Sequence, residues 1–224
     1  MNSSDTTNIH ETTRELDATR AKYRGKIPKP TLAVMDTETA RLTALDLAAR
    51  AVKVGDAAPD FILPDAHGEA VRLHSLLRDG PEVIVFNRGG WCPYCNLHLR
   101  GFQRRLSEIR ELGAQVVTIS PQLPDNSLST QEKNDLAFPV LSDVGNKVAR
   151  QFGIVFELSD QLLELYRKVG HPLEEINGES GGKELPVSAT FLVDNDGIIR
   201  LAHVDVDYTR RLDPDDVIEA LKKL

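Results

Sequence analysis

The sequence predicts a mixed α/β domain, a central mixed sheet with helices on both faces, carrying an N-terminal helical extension. Three observations predict it. From Val54 onward, short apolar runs alternate with amphipathic segments of helical period. A turn signal, Asp194-Asn195-Asp196-Gly197, separates two apolar runs near the C-terminus. Residues 1–52 differ in texture, being charged and interrupted by Gly25-Lys26-Ile27-Pro28-Lys29-Pro30.

In the extension, Thr13 to Tyr23 reads as a charged helix. A second helix is expected from about Asp36 to Ala51, capped by Asp36 or Thr37, with Leu42, Leu45, Ala48 and Ala49 on one stripe. So narrow a stripe serves either an arm laid over the following domain or a dimerisation arm. The domain itself is assigned to residues 53–224. Glu82 to Phe86 (EVIVF) reads as a buried strand and Pro93 to Leu112 as a helix, with Leu99, Phe102, Leu106 and Ile109 inward and Gly113 as its stop. Strand Ala114 to Ser120 follows, then a short helix near Ser129 to Leu136, strand Pro139 to Ser142, and a helix over Asn146 to Phe152 ended by Gly153. Ser159 to Val169 is a helix capped by Ser159, and residues 170–185 read as a polar loop. A hairpin, Ala189 to Val193 and Ile198 to Val206, precedes a last helix opened by Pro214.

The 224 residues suffice for one good core and an appendage, and the net charge of −7 argues against nucleic acid as a partner. No apolar run approaches the length of a membrane span, and the start MNSSDTTNIHETTRELD lacks the pattern of a secretory signal, so a cytoplasmic setting is expected. The six histidines show no ligand spacing and the two cysteines are half of a four-ligand zinc site, so no metal or cofactor is read.

Cys92 and Cys95, the two cysteines of the chain, lie in Trp91-Cys92-Pro93-Tyr94-Cys95 where a buried strand passes into a helix. Cysteines three apart close too small a loop to staple a fold, which leaves redox chemistry as the favoured use. Cys92 falls at the helix N-cap with Pro93 at the first helical position. There the partial positive charge of the helix end favours a thiolate. Cys92 is therefore expected as the exposed nucleophile and Cys95, about one turn later, as a deeper thiol able to attack it once oxidised. Trp91 would shield the pair from one side, and Arg88 is the nearest cation in sequence.

Several segments resemble one family. Val54-Gly55-Asp56-Ala57-Ala58-Pro59-Asp60-Phe61-Ile62-Leu63-Pro64-Asp65 is similar to the opening of the peroxiredoxins of the alkyl hydroperoxide reductase C / thiol-specific antioxidant family. Phe86-Asn87-Arg88-Gly89-Gly90-Trp91-Cys92-Pro93-Tyr94-Cys95-Asn96 resembles a branch of it with a CPxC motif. So do Thr118 to Gln122, Phe138 to Asp143, Glu184 to Val187 and Asp207 to Arg211.

The resemblance implies a thioredoxin-like fold and thiol-dependent reduction of hydrogen peroxide or small organic hydroperoxides. On that reading Cys92 becomes a sulfenic acid, Cys95 resolves it, and thioredoxin or a similar dithiol reduces the disulfide. Typical members carry Thr or Ser three residues before the reactive cysteine, where this chain has Gly89, and an arginine on a later strand, where it has Ser188. Arg88 is the expected replacement cation. Arg210 and Arg211 could instead reach in from the end of the sheet, although the surface or a dimer contact is the favoured expectation for them, and Ser188 and Trp91 are expected to touch the substrate. A thiol–disulfide oxidoreductase using the same dithiol, and a non-enzymatic redox sensor, are the alternative readings.

Overall fold

The structure is a computed structural model and describes residues 10–224; the polar start up to residue 9 lies outside the described residues. In chain order the elements are helices α1 (Glu11–Arg24), α2 (Lys29–Ala44) and α3 (Leu47–Arg50), strands β1 (Ile62–Pro64) and β2 (Ala70–Arg72), and helix α4 (Leu73–Leu76). Then come β3 (Glu82–Phe86), α5 (Pro93–Glu111), β4 (Gln115–Ser120), α6 (Pro124–Asn134), β5 (Val140–Ser142), α7 (Lys147–Gln151) and β6 (Val155–Glu157). The chain ends with α8 (Asp160–Lys168), α9 (Leu173–Ile176), β7 (Glu184–Pro186), β8 (Ala189–Val193), β9 (Ile199–Val204) and α10 (Pro214–Leu221).

The central sheet has the order β5-β4-β3-β8-β9, with β3, β4 and β5 parallel and β8 and β9 added antiparallel. β3 is buried along its whole length, which is why VIVF reads as an unbroken apolar run rather than an alternating one, with Glu82 buried at its start. Its side chains alternate between two cores. Val83 and Val85 face Leu99, Phe102, Leu106 and Ile109 of α5 and Val217, Ile218 and Leu221 of α10. Ile84 and Phe86 face the other way, where Phe86, Phe152 and Phe191 meet with ring centroids 4.9–6.1 Å apart.

The helical extension lies on its own domain, α1 against α5 and α2 against α8. Two carboxylates at the start of α10 hold the start of α1. Asp215 Oδ2 accepts from the His10 N–H (2.6 Å), and Asp213 Oδ2 accepts from the N–H and hydroxyl of Thr13 (both 2.8 Å). They satisfy amides that a helix end otherwise leaves open. Gly101 allows the two helices to touch: a Cβ there would stand 2.3 Å from Thr12 Oγ1.

Three expectations need correction. The second helix begins at Lys29, not Asp36, and stops at Ala44. Pro30 sits in its first turn, where a missing N–H costs nothing, and Asp36 pairs with Arg24 instead of capping. The inward residues are Leu42, Leu47 and Ala51, while Leu45 is 37 % exposed and Ala48 and Ala49 are exposed. The helix expected near Ser129 starts at Pro124 for the same proline reason. Residues 170–185 hold α9 and β7 rather than a plain loop, β7 pairing with β6.

Candidate active site

The reactive segment leaves β3 at Asn87 and is pinned before it enters α5. Asn87 Nδ2 donates to Thr118 Oγ1 (2.7 Å), and Asn87 Oδ1 accepts from the Gly89 N–H (2.8 Å). Gln122 Oε1 accepts from the Gly90 N–H (2.8 Å), and Asn96 Nδ2 donates to the Gly90 carbonyl (2.7 Å). Gly89 has φ 123°, and a Cβ built on it would lie 2.8 Å from Trp91 Nε1 and 2.9 Å from Gln122 Cδ. No residue but glycine fits this bend without strain.

The bend delivers Cys92 to the N-cap of α5, with Pro93 at its first position and Cys95 on the same turn. Both are free thiols in hydrogen-bond contact with each other. The expectation that Cys92 is exposed is corrected: it is 2 % exposed and Cys95 1 %, because Leu16 of α1, Tyr94 and Leu97 close over them.

Two buried guanidiniums flank the sulfurs. Arg88 is 4 % exposed, stands 5.0–5.6 Å from the ring centroids of Trp91, Tyr166 and Tyr208, and donates through Nη2 to the Tyr166 hydroxyl. Such cation–aromatic contacts favour a desolvated guanidinium. Burial works against its charge, yet neighbouring Tyr166, Cys92 and Cys95 hold its pKa above the ordinary value. Arg211 donates from Nη2 to Cys95 Sγ at 3.4 Å and from Nη1 to the carbonyls of Tyr208 (2.7 Å) and Arg210 (2.5 Å). Neither Arg88 nor Arg211 has an ion-pair partner among the carboxylates of the described residues.

The two thiols are pushed in opposite directions. Its hydrogen bond to Cys95, together with burial, pushes the Cys92 thiol well above the usual range. For Cys95 burial pushes the same way, but the hydrogen bond from Cys92 and the two guanidiniums, Arg211 foremost, prevail and hold it well below.

The sequence of the domain matches the AhpC/TSA family over residues 54–202. The chain belongs to that family. Peroxiredoxin Bcp of Escherichia coli K12 is 31 % identical over 173 residues, 77 % of this chain and 97 % of that protein. A putative peroxiredoxin of Mycobacterium tuberculosis H37Rv is 30 % identical over 173 residues, covering 77 % of this chain and 92 % of the relative. Among solved structures, the peroxidoxin BcpB of Mycobacterium tuberculosis superposes with TM-score 0.61 at 27 % identity, covering 77 % of this chain and 98 % of that one. The bacterioferritin comigratory protein of Xanthomonas campestris shares the fold (TM-score 0.57, 21 % identity, 77 % of this chain and 98 % of that one). The thioredoxin-like fold expected from the sequence is thus the fold observed.

Within the family frame, the two departures have structural accounts. The space a hydroxyl-bearing side chain would need at position 89 is filled by the Trp91 indole and Gln122. Where Ser188 leaves no arginine, two buried guanidiniums lie near the sulfurs, Arg88 from the bend and Arg211 from the segment before α10. Of the two late arginines, Arg211 departs from the favoured surface expectation and follows the alternative: it is 9 % exposed and reaches Cys95, while Arg210, paired with Asp207 at 3.6 Å, is the exposed one.

Cys92 lines a cleft of about 400 Å³ together with Arg88, Trp91, Tyr166, His171 and Tyr208. Tyr23, Ile27, Pro28, Thr31 and Met35 of the extension make its other wall. Trp91 makes tilted ring contacts with Tyr166 and His171, with ring centroids 5.1 and 5.4 Å away. Ser188 is not brought to this cleft; it is buried, without a partner for its hydroxyl, in a small hollow on the other side of Arg88. The site thus unites Arg88, Trp91, Cys92 and Cys95 as expected. It adds Arg211, Tyr166, Tyr208 and His171, for which only the helix read over Ser159 to Val169 and the Asp207–Arg211 segment gave any signal.

Proposed function

We propose that the protein is a thiol-dependent peroxidase that reduces hydrogen peroxide or small organic hydroperoxides at Cys92 and closes the Cys92–Cys95 disulfide. The observation that carries this reading is Cys92 on the wall of a cleft, in hydrogen-bond contact with a second thiol and beside the buried Arg88. The Cys92 sulfur attacks the distal peroxide oxygen and its proton passes to Cys95. The O–O bond breaks, and the departing alkoxide or hydroxide takes up a proton and leaves as alcohol or water. Arg88 stabilises the negative charge that develops on the peroxide, and Trp91 walls the cleft against solvent. Cys92 is left as a sulfenic acid. Attack by the Cys95 sulfur then forms the disulfide and releases the second oxygen as water.

A dithiol reductant such as thioredoxin returns two electrons by thiol–disulfide exchange, as a cytoplasmic setting would supply. The reading is supported by 31 % identity to a peroxiredoxin over nearly that protein's full length. In a thioredoxin-coupled assay, peroxide should consume reducing equivalents and Cys92→Ser should abolish the signal. A peroxide rate no faster than that of a free thiol refutes the proposal. Acceleration of insulin reduction without peroxide turnover would assign the dithiol to disulfide exchange instead.

A further inference from the structure

Arg211 is the unusual member of the site. It lies beyond residue 202, where the family match ends, and 116 residues from the sulfur it touches. The segment that carries it is held by two local carboxylates. Asp205 Oδ1 accepts from the Asp207 N–H (2.8 Å), and Asp207 Oδ1 accepts from the N–H (3.0 Å) and hydroxyl (2.7 Å) of Thr209. These turns send Arg210 outward and Arg211 inward. Two carbonyls fix one end of the inward guanidinium, its buried Nε has no partner, and its remaining amino group points at Cys95 Sγ. The other ionisable groups facing it are His98 of α5 and His203 of β9, which it disfavours as cations. Arg88 and Cys92 complete the surroundings of the sulfur. A guanidinium keeps its charge here, and no carboxylate of the described residues pairs with it, so among them the sulfur is the group placed to offer it an anion.

We propose that Arg211 is a catalytic residue of the second half of the cycle, acting on Cys95 rather than on the peroxide. Its guanidinium holds Cys95 Sγ as a thiolate ready to attack the Cys92 sulfenic acid, and receives it as the leaving group when the disulfide is opened. In that opening an external thiolate attacks Cys92 Sγ, forming a mixed disulfide. The Cys92–Cys95 bond breaks, and its electron pair departs on Cys95 Sγ beside Arg211. A better-stabilised thiolate leaves faster. The role rests on the redox reading of the pair, although its test does not require peroxide.

Two measurements on Arg211→Met, Arg211→Gln and Arg211→Lys decide it. First, the Cys95 thiolate is titrated by its ultraviolet absorbance with Cys92→Ser in the background. The neutral variants should titrate about one to three units higher than Cys92→Ser alone, and Arg211→Lys should recover part of the difference. Second, the preformed Cys92–Cys95 disulfide is opened with a small dithiol, and both neutral variants should be slower by about tenfold or more. Urea midpoints show which variants fold; Gln, which keeps a donor without the charge, stands in for Met if Met does not. A Cys95 titration that is the same with and without Arg211, or an unchanged opening rate, overturns the proposal. Failure of peroxide to oxidise Cys92 would sink the peroxidase reading and leave both measurements intact.

Discussion

Replacing Gly89 by Thr would give this chain the hydroxyl that typical members of its family carry three residues before the reactive cysteine. Restored chemistry would raise peroxide turnover; the structure predicts the opposite. The backbone at Gly89 has φ 123°, outside the regions open to a β-branched residue. Holding a residue in such a region costs about 1–3 kcal/mol. The new Cβ would also lie 2.8 Å from Trp91 Nε1 and 2.9 Å from Gln122 Cδ. Displacing them costs a further 1–3 kcal/mol or so, the usual range for overpacking. Gln122 is not free to yield, since its Oε1 accepts from the Gly90 N–H and the Thr130 hydroxyl. The sum, about 2–6 kcal/mol, corresponds to a fall in Tm of roughly 5–20 °C for a chain of this size. Thermal unfolding and the coupled peroxide assay are run on the same preparation. Unchanged Tm with faster turnover would refute the argument that Trp91 and Gln122 have taken the place of the family hydroxyl.

Arg88→Met, with Cys95→Ser in the background, should raise the Cys92 pKa by about one unit or more, because it removes a cation that favours that thiolate; an unchanged titration dismisses Arg88. Gly101→Ala normally strengthens a helix by about 1 kcal/mol. Here it should weaken the protein by about 1–3 kcal/mol and speed proteolysis after α1, because the new Cβ meets Thr12; a gain in the urea midpoint would contradict the α1–α5 contact. Burial raises the pKa of Glu82 to about 8 and lowers that of His98 to about 3, so the folded state holds an extra proton on Glu82 above pH ~4.5 and lacks one on His98 below pH ~6.5. Stability should therefore fall on acidification below about pH 4.5, and fall again from about pH 6.5 to 8; Glu82→Gln should remove the second loss and let the acid loss begin already near pH 6.5, as read from urea midpoints across pH.

Local pattern carried the parts of this fold that are locally determined. EVIVF matches β3 residue for residue, because after Glu82 a strand buried on both faces shows an unbroken apolar run. Ser159 caps α8 through a hydrogen bond to the Leu162 N–H, within four residues of sequence. Prolines divided the outcome. Pro93 and Pro214 were read as helix starters and are so, whereas Pro30 and Pro124 were read as part of a break or a loop and also start helices. The difference was context: the first two precede strong amphipathic patterns, and α2 and α6 have weak ones. In the site, strand, bend and helix brought Arg88, Trp91, Cys92 and Cys95 together within eight residues, and all were legible. Arg211, Tyr166 and His171 reach the same place only through tertiary packing. The burial of Cys92 was hidden too, since it depends on Leu16 of the extension.

The charge balance of the site ties these residues to its direction of electron flow. Arg88 and Arg211 are two buried cations without carboxylate partners among the described residues, and a buried charge is tolerated only when something offsets it. Aromatic faces and the Tyr166 hydroxyl serve Arg88. For Arg211, two carbonyls and the Cys95 sulfur are the bonded partners. With the role proposed for Arg211, that sulfur carries negative charge in the reduced protein and none in the disulfide. Closing the disulfide therefore removes an attraction that reopening restores, which stabilises the reduced state and makes the couple more oxidising. Arg211→Met should shift the Cys92–Cys95 equilibrium with a dithiol buffer toward the disulfide, by about 30 mV for each unit by which the Cys95 pKa rises. A couple that becomes more oxidising when Arg211 is removed would mean that its charge is offset by something other than Cys95.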